Sequence, residues 1–130
     1  MKILVANLGS TSFKYKIFDM PSARILGQGA MDRIGSSEDS LHSFSIGNAG
    51  IVNQDCNLPD HASAIEEALN RMVGSGKSLE TLDELKAVGF KAVHARNISG
   101  VVELDDEIIS RMEEFFPLAP AHNPAYVAAI

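Results

Sequence analysis

Residues 7–19 read NLGSTSFKYKIFD, and the fold turns on how this stretch is read. Before it lies KILVA (2–6), a short apolar run. After Gly9-Ser10-Thr11-Ser12 the residues alternate, with Phe13, Tyr15 and Ile17 on one side and Lys14, Lys16 and Phe18 on the other. Side chains switch faces at every residue of a strand, so the pattern predicts a β-hairpin with one buried face. The turn sets three hydroxyls beside the N–H groups of a Gly-led loop, with Asn7 before it and Lys14 after it. A concave cluster of such donors binds an anion without a large positive charge. Lys14 adds a point charge, and Asn7 is able to order a metal-bound water or a phosphate oxygen. The same serines also satisfy an ordinary polar turn, and the residues alone leave both readings open. The G-x-x-x-x-G-K-[ST] pattern of a Walker loop is absent.

The bulk properties narrow the field. The 130 residues are enough for one domain with a core, and 45% of them are apolar. The net charge of −6 and the lack of a basic stripe argue against nucleic acid as a partner. The single cysteine, Cys56, cannot form an internal disulfide, and no CxxC or His-x-His spacing points to zinc; Cys56 reads as an inert thiol near a loop. MKILVANLG is too short and too soon broken for a signal peptide or a membrane span, so a cytoplasmic protein without a membrane partner is expected.

Outward from the hairpin, MPSA (20–23) predicts a turn and RILGQGAM (24–31) a third strand weakened by two glycines. DRIGSSEDS (32–40) reads as an exposed polar loop. LHSFSIG (41–47) alternates weakly as a strand, and one more short strand is expected in 48–60. Residues 61–73 change period: Ile65, Ala68, Leu69, Met72 and Val73 share a helical face, with Asp60 or Ser63 as cap and Gly74 beyond the end. A strand is expected around Ala87 to Val93. A helix follows over 105–116, opened by acidic residues and stopped by Pro117, and another begins after Asn123-Pro124. The sequence stops inside that last helix, which suggests a piece of a longer protein. His42 and His61 read as plain surface residues, and His94 as a hydrogen-bonded core histidine.

The opening, MKILVANLGSTSFKYKIFDM (1–20), resembles that of acetate and related short-chain acyl kinases, which carry N-x-G-S-[ST]-S-[LF]-K-[YF] between two strands. PLAPAHNP (117–124) resembles that family's P-L-A-P-L-H-N-P, and AVGFKAVHARN (87–97) stands where the family has V-G-H-R-V-V-H-G-G-E. The resemblance implies an α/β fold, a ribonuclease-H-like domain of the sugar kinase, Hsp70 and actin superfamily. It would be a mixed sheet opening with antiparallel hairpins and flanked by helices. Residues 1–130 would form a single domain, the N-terminal part of a two-domain kinase whose C-terminal domain is missing, so that this chain alone would be nearly inactive. The implied chemistry is phosphoryl transfer from ATP, with Mg²⁺, to a small carboxylate. By the same resemblance Asn7 lies near the metal, while Ser10, Thr11, Ser12 and Lys14 bind the nucleotide phosphates. Lys91 and His122 are the catalytic candidates, and Lys91, Val93 and Ala121 line the substrate pocket. A homodimer is the family habit.

The departures are specific. Phe90-Lys91 replaces His-Arg, which exchanges a planar guanidinium fork for an ammonium point charge. Ala95-Arg96-Asn97 replaces Gly-Gly-Glu, and Ala121 replaces a leucine, leaving a slacker acyl pocket. Two other readings stand beside the enzyme: a degenerate paralogue that binds nucleotide or phosphate without catalysis, suggested by these departures, and a fragment without independent function, suggested by the abrupt end at Ile130.

Overall fold

The computed structural model describes residues 1–36, 39–91, 100–114 and 117. The hairpin forms as the alternation requires. Strand β1 (Lys2–Leu8) pairs antiparallel with β2 (Phe13–Asp19), Leu4 opposite Ile17, Ala6 opposite Tyr15 and Leu8 opposite Phe13. All six of these side chains are buried. Three further strands continue the meander: β3 (Arg24–Asp32), β4 (Ser40–Ile46) and β5 (Val52–Cys56). Helix α1 (His61–Met72) then leads back across the sheet, packing on β2 and β3, to β6 (Leu85–Phe90). Strand β6 lies parallel to β1, and the sheet order is β5-β4-β3-β2-β1-β6. A parallel neighbour cannot be reached by a tight turn, and the α1 crossover supplies the necessary length. Lys2 Nζ fastens the arrangement by donating to Glu84 Oε1 at 2.7 Å, just ahead of β6. Helix α2 (Asp106–Glu114) follows, its first turn closed by the Asp105 carboxylate, which accepts from the Ile108 N–H at 2.8 Å.

Helix α1 is capped by Asp60, whose side chain accepts from the Ser63 amide at 2.8 Å and from the Ser63 hydroxyl at 2.7 Å. Its buried face is Ala64, Ala68 and Met72; Ile65 and Val73 are partly buried against the core, and Leu69 is half-buried. Among the described residues no helix is long and apolar enough to cross a membrane. The strand expected from Ala87 begins earlier, at Leu85, and is described to Phe90. Of the expected 105–116 helix, residues 106–114 are described as helical. The helix expected after Asn123-Pro124 and the core role expected of His94 lie outside the described residues.

The two glycines that weaken the pattern of β3 have a packing role. A β-carbon at Gly29 would lie 2.6 Å from Tyr15 Cε1 and overlap its hydroxyl, and one at Gly27 would overlap the Ser78 hydroxyl and approach Met72 Sδ at 2.6 Å. The missing side chains are the space that the phenol of Tyr15 and the end of α1 occupy.

Two expectations are corrected here. The 32–40 segment is not wholly exposed: Ile34 is buried, and its N–H donates to the Thr11 carbonyl at 3.0 Å. His42 is not a surface residue. It is 0% exposed, its Nε2 lies 2.9 Å from the Tyr15 hydroxyl, and its ring stacks obliquely on Phe44. Alternation puts His42 on the same face of β4 as Phe44, and that face turns inward. Its Nδ1 makes no hydrogen bond and lies 3.5 Å from Glu67 Oε1, which is engaged by Arg71 Nε at 2.7 Å. Burial lowers the His42 pKa, against a smaller upward pull from Glu67. Burial and then the charge of Glu67 raise that of Tyr15.

A buried base with a lowered pKa is neutral when folded and takes up a proton on unfolding. Stability is therefore intact above the unfolded value of about 6.5 and declines as pH falls below it, by at most about 1.4 kcal/mol per pH unit, until the folded pKa is reached. Denaturant titrations from pH 7.5 to 5 are expected to show this decline, and a His42→Gln variant is expected to lack that component. Equal slopes in the two proteins would disprove the assignment.

Candidate active site at the open end of the sheet

The four residues Gly9–Ser12 join β1 to β2. A β-carbon at Gly9 would fall on the Ser12 hydroxyl, so the glycine leaves that hydroxyl its present position in the turn. Three backbone contacts hold the turn. The Gly9 N–H donates to the Ser12 carbonyl at 2.8 Å, the Ile34 N–H donates to the Thr11 carbonyl, and the ring of His61 meets the Gly9 carbonyl at 2.8 Å through Nε2. With these carbonyls engaged, the N–H groups of Ser10, Thr11 and Ser12 make no hydrogen bond among the described residues. Ser10 and Thr11 are exposed and Ser12 half-buried. Free amides and hydroxyls on one exposed bend are what an anion needs.

The register brings the flanking side chains together. Asn7 and Lys14 are direct cross-strand partners, on the sheet face opposite α1. Directly opposed β-carbons stand about 5 Å apart, so one ligand is able to touch both side chains. Lys91 follows the last residue of β6, and its N–H donates to the Ala6 carbonyl at 3.3 Å. Continuing the parallel register from Ala6–Phe90 sets Lys91 beside Asn7. Asp32, after Met31 at the end of β3, brings a carboxylate to the same end of the sheet. From Asn7 and Lys14 a trough of about 540 Å³ runs over Lys16, Gln28 and Ser45 to Ile51. Both lysines in it are exposed, a local positive surface on an acidic chain.

Of the residues singled out from sequence, the fold thus gathers Asn7, Ser10, Thr11, Ser12, Lys14 and Lys91 at one end of β1. Phe90, the neighbour of Lys91, packs against the core. Val93, Ala121 and His122 lie outside the described residues. Cys56 is half-buried, its thiol directed at the Ser40 carbonyl at 3.5 Å, and burial followed by Glu67 and Asp55 raises its pKa. Both effects disfavour the thiolate, which is the reactive form. His61, read as a surface residue, instead touches the loop. Nothing local in the sequence marks it, because its partner is 52 residues away.

The donors of the bend suit the phosphates of a nucleotide. Among the described residues no group of three or more His, Cys, Asp or Glu side chains is placed to hold a metal.

A mixed sheet opened by an antiparallel hairpin, closed by a parallel strand and crossed by a helix is the architecture of a ribonuclease-H-like α/β domain. The Acetokinase family profile matches residues 2–130, and the chain belongs to that family. It is 35% identical over 130 residues to the acetate kinase of Bacillus cytotoxicus, an alignment covering 99% of this chain and 32% of that protein. The crystal structure of Porphyromonas gingivalis acetate kinase superposes with a TM-score of 0.85 at 36% identity, covering 95% of this chain and 31% of that one. A propionate kinase from Francisella tularensis shares the fold, with a TM-score of 0.81 at 22% identity over 98% of this chain and 32% of that one. The chain spans about a third of the length of the relatives it matches.

Proposed function

We propose that this chain is the N-terminal domain of an acetate kinase-like enzyme that transfers the γ-phosphoryl group of ATP to a short-chain carboxylate, forming an acyl phosphate. The observation that carries the reading is the convergence of Asn7, Lys14, Lys91 and three loop amides, unbonded among the described residues, at one end of the hairpin. Family membership supports it independently.

Phosphoryl transfer asks the protein for charge neutralisation and in-line alignment. The amides and hydroxyls of Ser10, Thr11 and Ser12, with the Lys14 ammonium, would hold the phosphates. Asn7 would contact phosphate-bound Mg²⁺, which supplies further neutralisation. Lys91 would hold the acceptor carboxylate or the moving group, with His122 on the cleft wall and Val93 and Ala121 beside the acyl tail, in the roles their positions imply by family resemblance. The same reading places the enzyme in the cytoplasm and as a homodimer.

The full-length protein is expected to convert acetate, propionate or butyrate with Mg-ATP into an acyl phosphate trapped as the hydroxamate. No product from any of the three acids refutes catalysis. A second reading, a binding-only paralogue, is favoured by the Phe90-Lys91 departure, since Phe90 is spent on the core and leaves one ammonium where the family has an imidazole and a guanidinium. A Lys91→Arg variant separates the two: its rate rises in a weakened enzyme and stays at background in a binding protein.

A further inference from the structure

The Gly9–Ser12 turn is incomplete in an informative way. When two residues form a hydrogen-bonded pair across an antiparallel ladder, each N–H donates to the other's carbonyl. Gly9 and Ser12 make only half of this exchange, Gly9 N–H to Ser12 carbonyl at 2.8 Å. The return bond, Ser12 N–H to Gly9 carbonyl, is absent, and the Gly9 carbonyl faces His61 Nε2 at 2.8 Å instead. A carbonyl only accepts, so Nε2 carries the proton and donates. His61 is the first residue of α1, directly after the Asp60 cap, so the ring's origin is fixed by the helix start. The ring is half-buried between helix and turn.

We propose that His61 is a positioning residue: by taking over the Gly9 carbonyl it keeps the turn from closing on itself and leaves the Ser12 N–H, with those of Ser10 and Thr11, free for a phosphate group. The anion in this inference rests on the phosphate-binding reading above; the diversion of the hydrogen bond does not. Without the imidazole the Gly9 carbonyl has a ready alternative donor in Ser12, and the bend relaxes toward an ordinary closed hairpin turn. The loop then offers an anion one donor fewer. Glutamine at position 61 sets an amide N–H where Nε2 now is and keeps the donor, whereas alanine does not.

Amide-resolved NMR of the protein tests both parts. Solvent exchange of the Ser12 amide is expected to be fast in the wild type and in His61→Gln, and at least about fivefold slower in His61→Ala, where a hydrogen bond protects it. With inorganic tripolyphosphate as probe, the amides of residues 10–12 are expected to shift in the wild type. The affinity is expected to be about tenfold weaker in His61→Ala and within about threefold of wild type in His61→Gln, the loss of one charge-assisted donor. Ser12 exchange that is the same in wild type and His61→Ala overturns the proposal. Exchange that responds as expected while no variant binds tripolyphosphate overturns the phosphate reading of the site and leaves the holding of the turn established. Should His61→Ala fail to fold, His61→Leu, which keeps bulk and lacks a donor, reads the same exchange.

Discussion

Replacing Lys14 by methionine is expected to weaken binding of Mg-ATP or tripolyphosphate by about 10- to 100-fold, the loss of one charge-assisted contact to a multiply charged ligand. Lys14 is exposed at the mouth of the trough and makes no ion pair among the described residues, so the folded protein does not depend on its charge. The unfolding midpoint should accordingly stay where it is, as for most surface substitutions away from special contacts. Methionine retains most of the aliphatic stem, so packing along the strand is conserved. Calorimetric titration beside a thermal melt reads both quantities. Unchanged affinity removes Lys14 from the site. A fallen midpoint with proportionate loss of binding gives it a structural role instead.

Gly29→Ala is expected to have the largest effect on stability, a loss of about 3 kcal/mol, at the upper end of the range for overpacking a core. The added carbon has nowhere to go. It meets the ring of Tyr15 rather than a flexible chain end, and that ring is held by its contact with His42 and by stacking on Phe13, ring centroids 5.4 Å apart. Moving the phenol breaks the Tyr15–His42 hydrogen bond and leaves His42 with both ring nitrogens unpaired inside the protein, a cost of about 1–3 kcal/mol for the orphaned group. Chemical denaturation gives the free-energy difference directly. A loss below about 1 kcal/mol, the size of an ordinary substitution, contradicts this packing account.

The hairpin was legible in the sequence because its signal is local. Strict alternation from Phe13 to Ile17 faces an apolar run across four residues, and each of those facts survives without knowledge of the rest of the chain. The α1 cap at Asp60 and the helix end before Gly74 were legible for the same reason. Lys14 and Asn7 were legible as neighbours once the hairpin was accepted, since register follows from turn length.

What escaped depends on contacts distant in the chain. His42 shared a face with Phe44, a clue to burial, but only Tyr15, on another strand, explains why an imidazole is tolerated there. Ile34 lay inside a polar stretch whose composition concealed an inward apolar side chain. The glycines of β3 looked like defects because the residues that fill their space belong to β2, to α1 and to Ser78. His61 needed the crossover helix to come back over the hairpin.

The parallel pairing of β1 with β6 also sets an order of events. Strands β1 to β5 are each joined to the next by a short connection, so they zip up through contacts between sequence neighbours. Strand β6 must instead be captured from far away: Lys2 and Glu84, which clasp its entrance, are 82 residues apart. Closing so long a loop carries an entropic cost that only the formed meander and α1 repay, and such distant pairings are the slow ones in chain collapse. The Gly9–Ser12 bend between β1 and β2 is thus expected to form early, whereas Lys91 arrives only when β6 docks.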